Sequence, residues 1–159
     1  MYKVFTIFKN LLFIVLFAIS VNLYSQTVYY GNSVNHSDIV CIIKNGKIYR
    51  GSQTYDSNII ANFDGTYLYR GNSRYQNNIL LTYSNNRIYK GKSTYLSDLV
   101  VNYSNHKLYI GNSKYENSIL CNIVNNKIYR YNSHYNSDIL FSTSGYIHPI
   151  IIYFIITNL

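Results

Sequence analysis

Charge is scarce in this chain. Asp, Glu, Lys and Arg make up 13% of its 159 residues, about half the proportion usual in soluble domains. Few long helices with charged faces are therefore expected. Tryptophan is absent, and proline and methionine occur once each. Also missing are the motifs that carry common chemistries: no serine nucleophile motif, no phosphate loop and no H-E-x-x-H. The four histidines, His36, His106, His134 and His148, show no metal-ligand spacing. Asp38, Asp56, Asp64, Asp98, Glu116 and Asp138 include no pair that the sequence places across a cleft. The chain reads as non-enzymatic, with no cofactor and no metal expected.

Polarity comes instead from Asn, Ser and twenty tyrosines. Tyr favours strands, while Asn and Ser favour turns. Together they predict an all-β protein with many turns, of a length suited to one domain. The formal charge is +8. Without Lys3 and Lys9, twelve basic residues face six acidic ones, a net +6. Such a surface either keeps the protein soluble, the simpler reading, or attracts an anionic partner.

Residues 1–25 have the order of a secretory signal. Lys3 and Lys9 form a positive start, Leu11–Ala18 an apolar stretch, and Ser25 a small residue at the cleavage point before Gln26. Leu23 is large for its place ahead of that point. An uncleaved anchor would want about 20 apolar residues, more than the run supplies. The expected location is outside the cytoplasm: periplasmic, cell-surface or secreted. Export argues against a nucleic-acid partner.

From Gly31 the chain repeats every twenty residues, with units starting at Gly31, Gly51, Gly71, Gly91, Gly111 and Tyr131. The third reads GNSRYQNNILLTYSNNRIYK and the fifth GNSKYENSILCNIVNNKIYR. Such regularity marks a repeat architecture. Each unit holds two strands. The first begins at Ile39, Ile59, Ile79, Leu99 and Ile119; the second is Lys47–Arg50 and its counterparts. Asn45-Gly46 and Asp64-Gly65 are strong hairpin signals, since both favour positive φ. The Asp-Gly pair comes one position early, which predicts a changed register in that hairpin. Strict alternation would put Ile79, Leu81 and Tyr83 on one face and Leu80 and Thr82 on the other. Gly-Asn-Ser-x-Tyr links successive hairpins. Asp38, Asp98 and Asp138 are read as turn closers through their side-chain oxygens. Tyr131, in place of the linker glycine, suggests a degenerating sixth unit.

A lone hairpin cannot bury its apolar surface, so neighbours must pack together. Two strands per unit exclude an ordinary propeller, and the strands are shorter than the about 9 to 11 residues of membrane barrels. A small closed ring remains, with an open hairpin solenoid as the alternative. Gln26–Tyr30 matches a second strand without its first, and the sixth unit ends after its first strand, near Ile139–Phe141. Pairing these halves would close a ring and remove exposed edges.

The pattern GNSxYxSDIL, a turn and KIYR over Thr27–Phe141 resembles the β-flower repeat proteins. The resemblance implies a ring of four- or five-fold symmetry in an exported bacterial protein, and no established biochemical function. The repeat length is also similar to that of choline-binding cell-wall repeats, but those depend on tryptophan, absent here. The domain plan is therefore a signal (1–25), a hairpin-repeat domain (26–148) and an apolar C-terminal segment (149–159). Pro149–Thr157 is too short to span a bilayer as a helix. Its readings are a covering strand, a plug in the ring, or a contact with another chain or a membrane; packing within the protein is favoured.

Cys41 and Cys121 share position 11 of their units, where Ala61, Leu81 and Val101 are simply apolar. Two buried thiols are the favoured reading, a single disulfide the alternative. The candidate ligand-facing set is Tyr49, Tyr69, Tyr89, Tyr109 and Tyr129, one per unit, beside Arg50, Arg70, Lys90 and Arg130. These rings could present both an apolar body and a hydroxyl to a glycan; otherwise they fill the seams between hairpins. The functional expectation is a structural or interaction role at the cell envelope, with a glycan or another envelope protein as partner. The alternative is a module binding a glycan or another surface polymer.

Overall fold

The computed structural model describes residues 25–159; the predicted export signal lies, apart from Ser25, outside the described residues. Twelve strands follow one another: β1 Gln26–Tyr30, β2 Ile39–Lys44, β3 Lys47–Arg50, β4 Ile59–Phe63, β5 Tyr67–Arg70, β6 Ile79–Ser84, β7 Arg87–Lys90, β8 Leu99–Ser104, β9 Lys107–Ile110, β10 Ile119–Val124, β11 Lys127–Arg130 and β12 Ile139–Thr143. A helix, α1, spans Pro149–Asn158. All neighbouring strands pair antiparallel, and β1 closes the circle against β12 through Val28↔Thr143, Tyr29↔Ser142 and Tyr30↔Phe141. The two half-units therefore make a sixth hairpin across the chain ends. The ring is closed and six-fold, where the resemblance implied four or five.

The turns explain the regularity. Asn45 and Gly46 both have positive φ (53° and 76°), as do Asn85-Asn86, Asn105-His106 and Asn125-Asn126. Each two-residue turn thus matches the right-handed twist of its strands. The expected register change at Asp64-Gly65 does not occur. Ala61↔Arg70 and Asn62↔Tyr69 reproduce Cys41↔Arg50 and Ile42↔Tyr49. The turn absorbs the offset instead, because the Asp64 carboxylate accepts from the backbone N–H groups of Thr66 (2.9 Å) and Tyr67 (2.7 Å). Tyr131 takes the glycine's left-handed conformation (φ 54°), and the sixth unit keeps its shape.

Strict alternation fails at one place in every first strand. Ile48 faces Ala61 and Tyr49 faces Ile59, so Ile60 is the extra residue of a β-bulge. Its counterpart Leu80 consequently joins Leu81 and Tyr83 against the core, while Ile79 shares the outer face with Thr82. Three inward layers result. Position 11 supplies Cys41, Ala61, Leu81, Val101, Cys121 and Phe141. Position 18 supplies Val28, Ile48, Leu68, Ile88, Leu108 and Ile128, and every one of these twelve is buried. Position 13, from Ile43 to Thr143, completes the third layer nearer the hairpin turns.

The C-terminal segment is a helical plug, not a covering strand. Ile150, Ile151 and Ile152 are all buried although they point to different sides of the helix, and Phe154 and Ile155 are buried too. They share one core cluster with the inner faces of the strands. A helix apolar all round must be enclosed. Isoleucine is a modest helix former, yet a closed ring offers no free strand edge. Inside it, a helix alone satisfies its own backbone polar groups. Pro149 starts the helix at a position that needs no N–H. Its ten residues extend about 15 Å. Among the described residues, no helix is long and apolar enough to cross a membrane.

His148 caps this plug. Its Nδ1 accepts from the Ile150 N–H at 3.4 Å, and its ring lies 4.7 Å from Phe63 and 4.4 Å from Tyr83. Burial pushes its pKa below the ordinary histidine value, so the fold favours the neutral ring. As pH falls below about 6.5, the unfolded chain takes up the proton first. Stability from this residue is thus complete above that pH and lost below it. The expected result is that His148→Asn, which caps without titrating, melts below the parent at pH 7.5. By pH 5.5 the gap narrows.

Cys41 and Cys121 are free and buried. Around the closed ring Phe141 stands between them at the same repeat position, so the disulfide alternative does not form. Burial pushes both thiols up to about 12, which leaves them unreactive.

Candidate functional site

The segments linking hairpins fold back over the outer wall as petals, and position 12 of the first strand in the preceding hairpin fastens five of the six; Ile42 stands there ahead of the Gly51 petal. The Asn62 amide donates to the carbonyls of Gly71 (2.9 Å) and Ser73 (2.6 Å). Asn102 does the same to Gly111 and Ser113, both at 2.7 Å. Thr82 and Ser142 donate through hydroxyls to Gly91 (2.6 Å) and Gly31 (2.7 Å). The seam tyrosines of position 19 lie beneath this cover. Tyr49, Tyr69, Tyr89, Tyr109 and Tyr129 are all buried, which corrects their reading as ligand-facing. They fill seams.

Different tyrosines face solvent. In five of the six petals the third residue is a serine that accepts from the backbone N–H of the fifth, as Ser73 does from Tyr75 and Ser93 from Tyr95, both at 3.1 Å; in the Gly51 petal Gln53 takes its place. A short 3-10 turn follows, closed in three petals by Ser33, Ser93 and Ser133 donating to Asp38, Asp98 and Asp138. The Ser33 hydroxyl, with others nearby, holds the Asp38 carboxyl below the usual range. These bonds fix the backbone but give the fifth side chain nothing to pack against. Tyr55, Tyr75, Tyr95, Tyr115 and Tyr135 are 66–79% exposed. The sequence held a signal for them: they sit outside the strands, in a polar turn, where no alternation demands a large apolar ring.

The cations of the candidate set are brought together. Arg50, Arg70, Lys90 and Arg130 pair with Cys41, Ala61, Leu81 and Cys121, so they share the inner face. Being the last strand residues, they are exposed and rim one mouth of the ring. Tyr30 and Ile110 fill the remaining two rim positions. Since His148 lies near the turn-side layer, α1 ends toward this cationic rim, an orientation favoured by the helix dipole. Among the described residues, Lys47–Asp56 at 3.8 Å is the one ion pair. No three His, Cys, Asp or Glu side chains there are grouped to hold a metal.

The sequence pattern of a known family, described as 6-fold beta flower protein, matches residues 49–149, more than half of the chain. This chain belongs to the 6-fold beta flower proteins. The six hairpins of this beta flower agree with that description. No curated protein and no solved structure matches it.

Proposed function

We propose that this beta flower is an exported, non-catalytic binding module that holds a glycan or similar surface polymer against its petals. The observation that carries this reading is the set of five exposed tyrosines at one repeat position. A large ring held in solvent by a rigid turn contributes little to folding, yet offers an amphipathic surface to a sugar face. Repetition around the wall suits a repeating ligand, since linked weak contacts gain from effective concentration. The signal pattern of residues 1–25 supports contact with material outside the cytoplasm. The rim cations supply the attraction that a partly acidic polymer would meet.

The test is retention of purified protein on a glycan array and on isolated cell walls. Tyr75→Ala with Tyr95→Ala is expected to lower retention about tenfold while leaving the melting temperature near that of the parent. Unchanged retention by this double variant contradicts the reading.

A further inference from the structure

Between neighbouring petals the outer wall is grooved. One groove of about 340 Å³ is lined by Arg87, Asn102, Asn112 and Lys114, with Asn86 and Ser104 at its edge. A second, of about 270 Å³, is lined by Tyr67, Thr82, Lys92 and Thr94, with the exposed Tyr95 at its edge. These are the same positions twenty residues earlier, so the groove recurs in two successive units. No acidic residue lines either one.

The first groove is the more ordered. Arg87 donates to the Asn112 Oδ1 at 3.2 Å, which holds its guanidinium across the opening. Asn102 is buried and pinned by its two bonds to the petal. Its Oδ1 is buried without a partner. Lys114 is exposed on the petal opposite. Two cations and several amides around one concavity suit a ligand with an anionic group and hydroxyls.

Charge elsewhere on the wall follows the same plan. Lys47, Lys107 and Lys127 occupy the Arg87 position, and Arg74 and Lys92 occupy petal positions 4 and 2. With Arg87 and Lys114 these are seven of the twelve basic residues beyond residue 25, and of them only Lys47 is ion-paired among the described residues. Adjacent grooves lie two strand widths apart, about 10 Å along the wall.

We propose that the inter-petal grooves seat the acidic groups of an anionic polysaccharide, with Arg87 and Lys114 as the principal anion contacts. This rests on the binding-module reading and names the chemical class of its ligand. The anion is a carboxylate or a phosphate, both of which fit a guanidinium and an ammonium. The polymer passes over the exposed petal tyrosine beside each groove.

The test titrates purified protein with dextran, carboxymethyl-dextran and phosphorylated dextran, three polymers on one backbone. Binding is expected for at least one acidic form, about tenfold tighter than for neutral dextran and weakening with salt. Whichever acidic form binds identifies the anion. Arg87→Gln and Lys114→Gln are each expected to weaken it about fivefold, with unchanged melting. Lys44→Gln, which removes the same charge from the end of β2, where the equivalents of Arg87 and Lys114 are the uncharged Thr27 and Thr54, is expected to change it by less than about twofold. Equal losses in all three variants mean attraction by net charge alone and overturn the proposal. Neutral dextran binding as tightly as the acidic forms also overturns it, while sparing the module. So does failure of all three dextrans when the petal tyrosines still govern retention on the glycan array.

Discussion

Ile155→Asp is expected to abolish the cooperative unfolding transition. Ile155 is fully buried in α1, and the ring around it presents apolar side chains in its two inner layers nearest the axis. A carboxylate there would be cut off from water. An unpaired buried charge costs several kcal/mol, and a domain of this size has a total stability of about 5–15 kcal/mol. Ile155→Ala removes packing without adding charge and is expected to cost about 2–5 kcal/mol. Circular dichroism melts of both variants check the pair. A near-parental melt for Ile155→Asp would mean the helix is a peripheral attachment and the ring stands without it.

The second large effect separates the two classes of tyrosine. Tyr89→Ala is expected to destabilise the protein by about 3–5 kcal/mol, because its ring is 4% exposed and faces Leu99 across the seam. Tyr95→Ala, 76% exposed, is expected to stay within about 0.5 kcal/mol of the parent. Chemical denaturation gives both values. If Tyr89→Ala melts like the parent, position 19 does not fill the seams, and its tyrosines return as candidates for ligand contact.

The contrast between these tyrosines shows where sequence reasoning stopped. Asn-Gly and Asn-Asn pairs fix each hairpin locally, and two half-hairpins at the ends required a partner, so hairpins and closure were legible. Position 19 was ambiguous because it points away from the ring's interior. Its burial comes from petals fastened by Asn62, Thr82, Asn102 and their equivalents, residues that read simply as polar strand positions. Those bonds join an outer strand face to a linker, and no local pattern announces them. The petal tyrosines were hidden by the opposite habit, since they looked like part of a linker.

Pro149–Thr157 misleads for a related reason. A β-branched apolar run reads as strand, and only enclosure by a ring without free edges makes a helix the better answer. Its cues were a proline at the start and apolar character on every side. The bulge after Ile59 and its equivalents was not legible either. Five apolar residues in a row, as in Ile39–Ile43, do not reveal which two turn to the same side.

The most direct test of the closed, six-fold ring is a cross-link between the chain ends. Tyr29 and Ser142 are register partners across β1 and β12. Antiparallel partners have Cα atoms about 4.5–5.5 Å apart, within the range of a disulfide. The two natural thiols are buried and do not compete. The Tyr29→Cys, Ser142→Cys double variant is expected to form one intramolecular bond under mild oxidation, located by non-reducing peptide mapping, and to melt higher when oxidised than when reduced. Persistence of both introduced thiols, or bonds only between separate molecules, would contradict closure and leave an open array of hairpins.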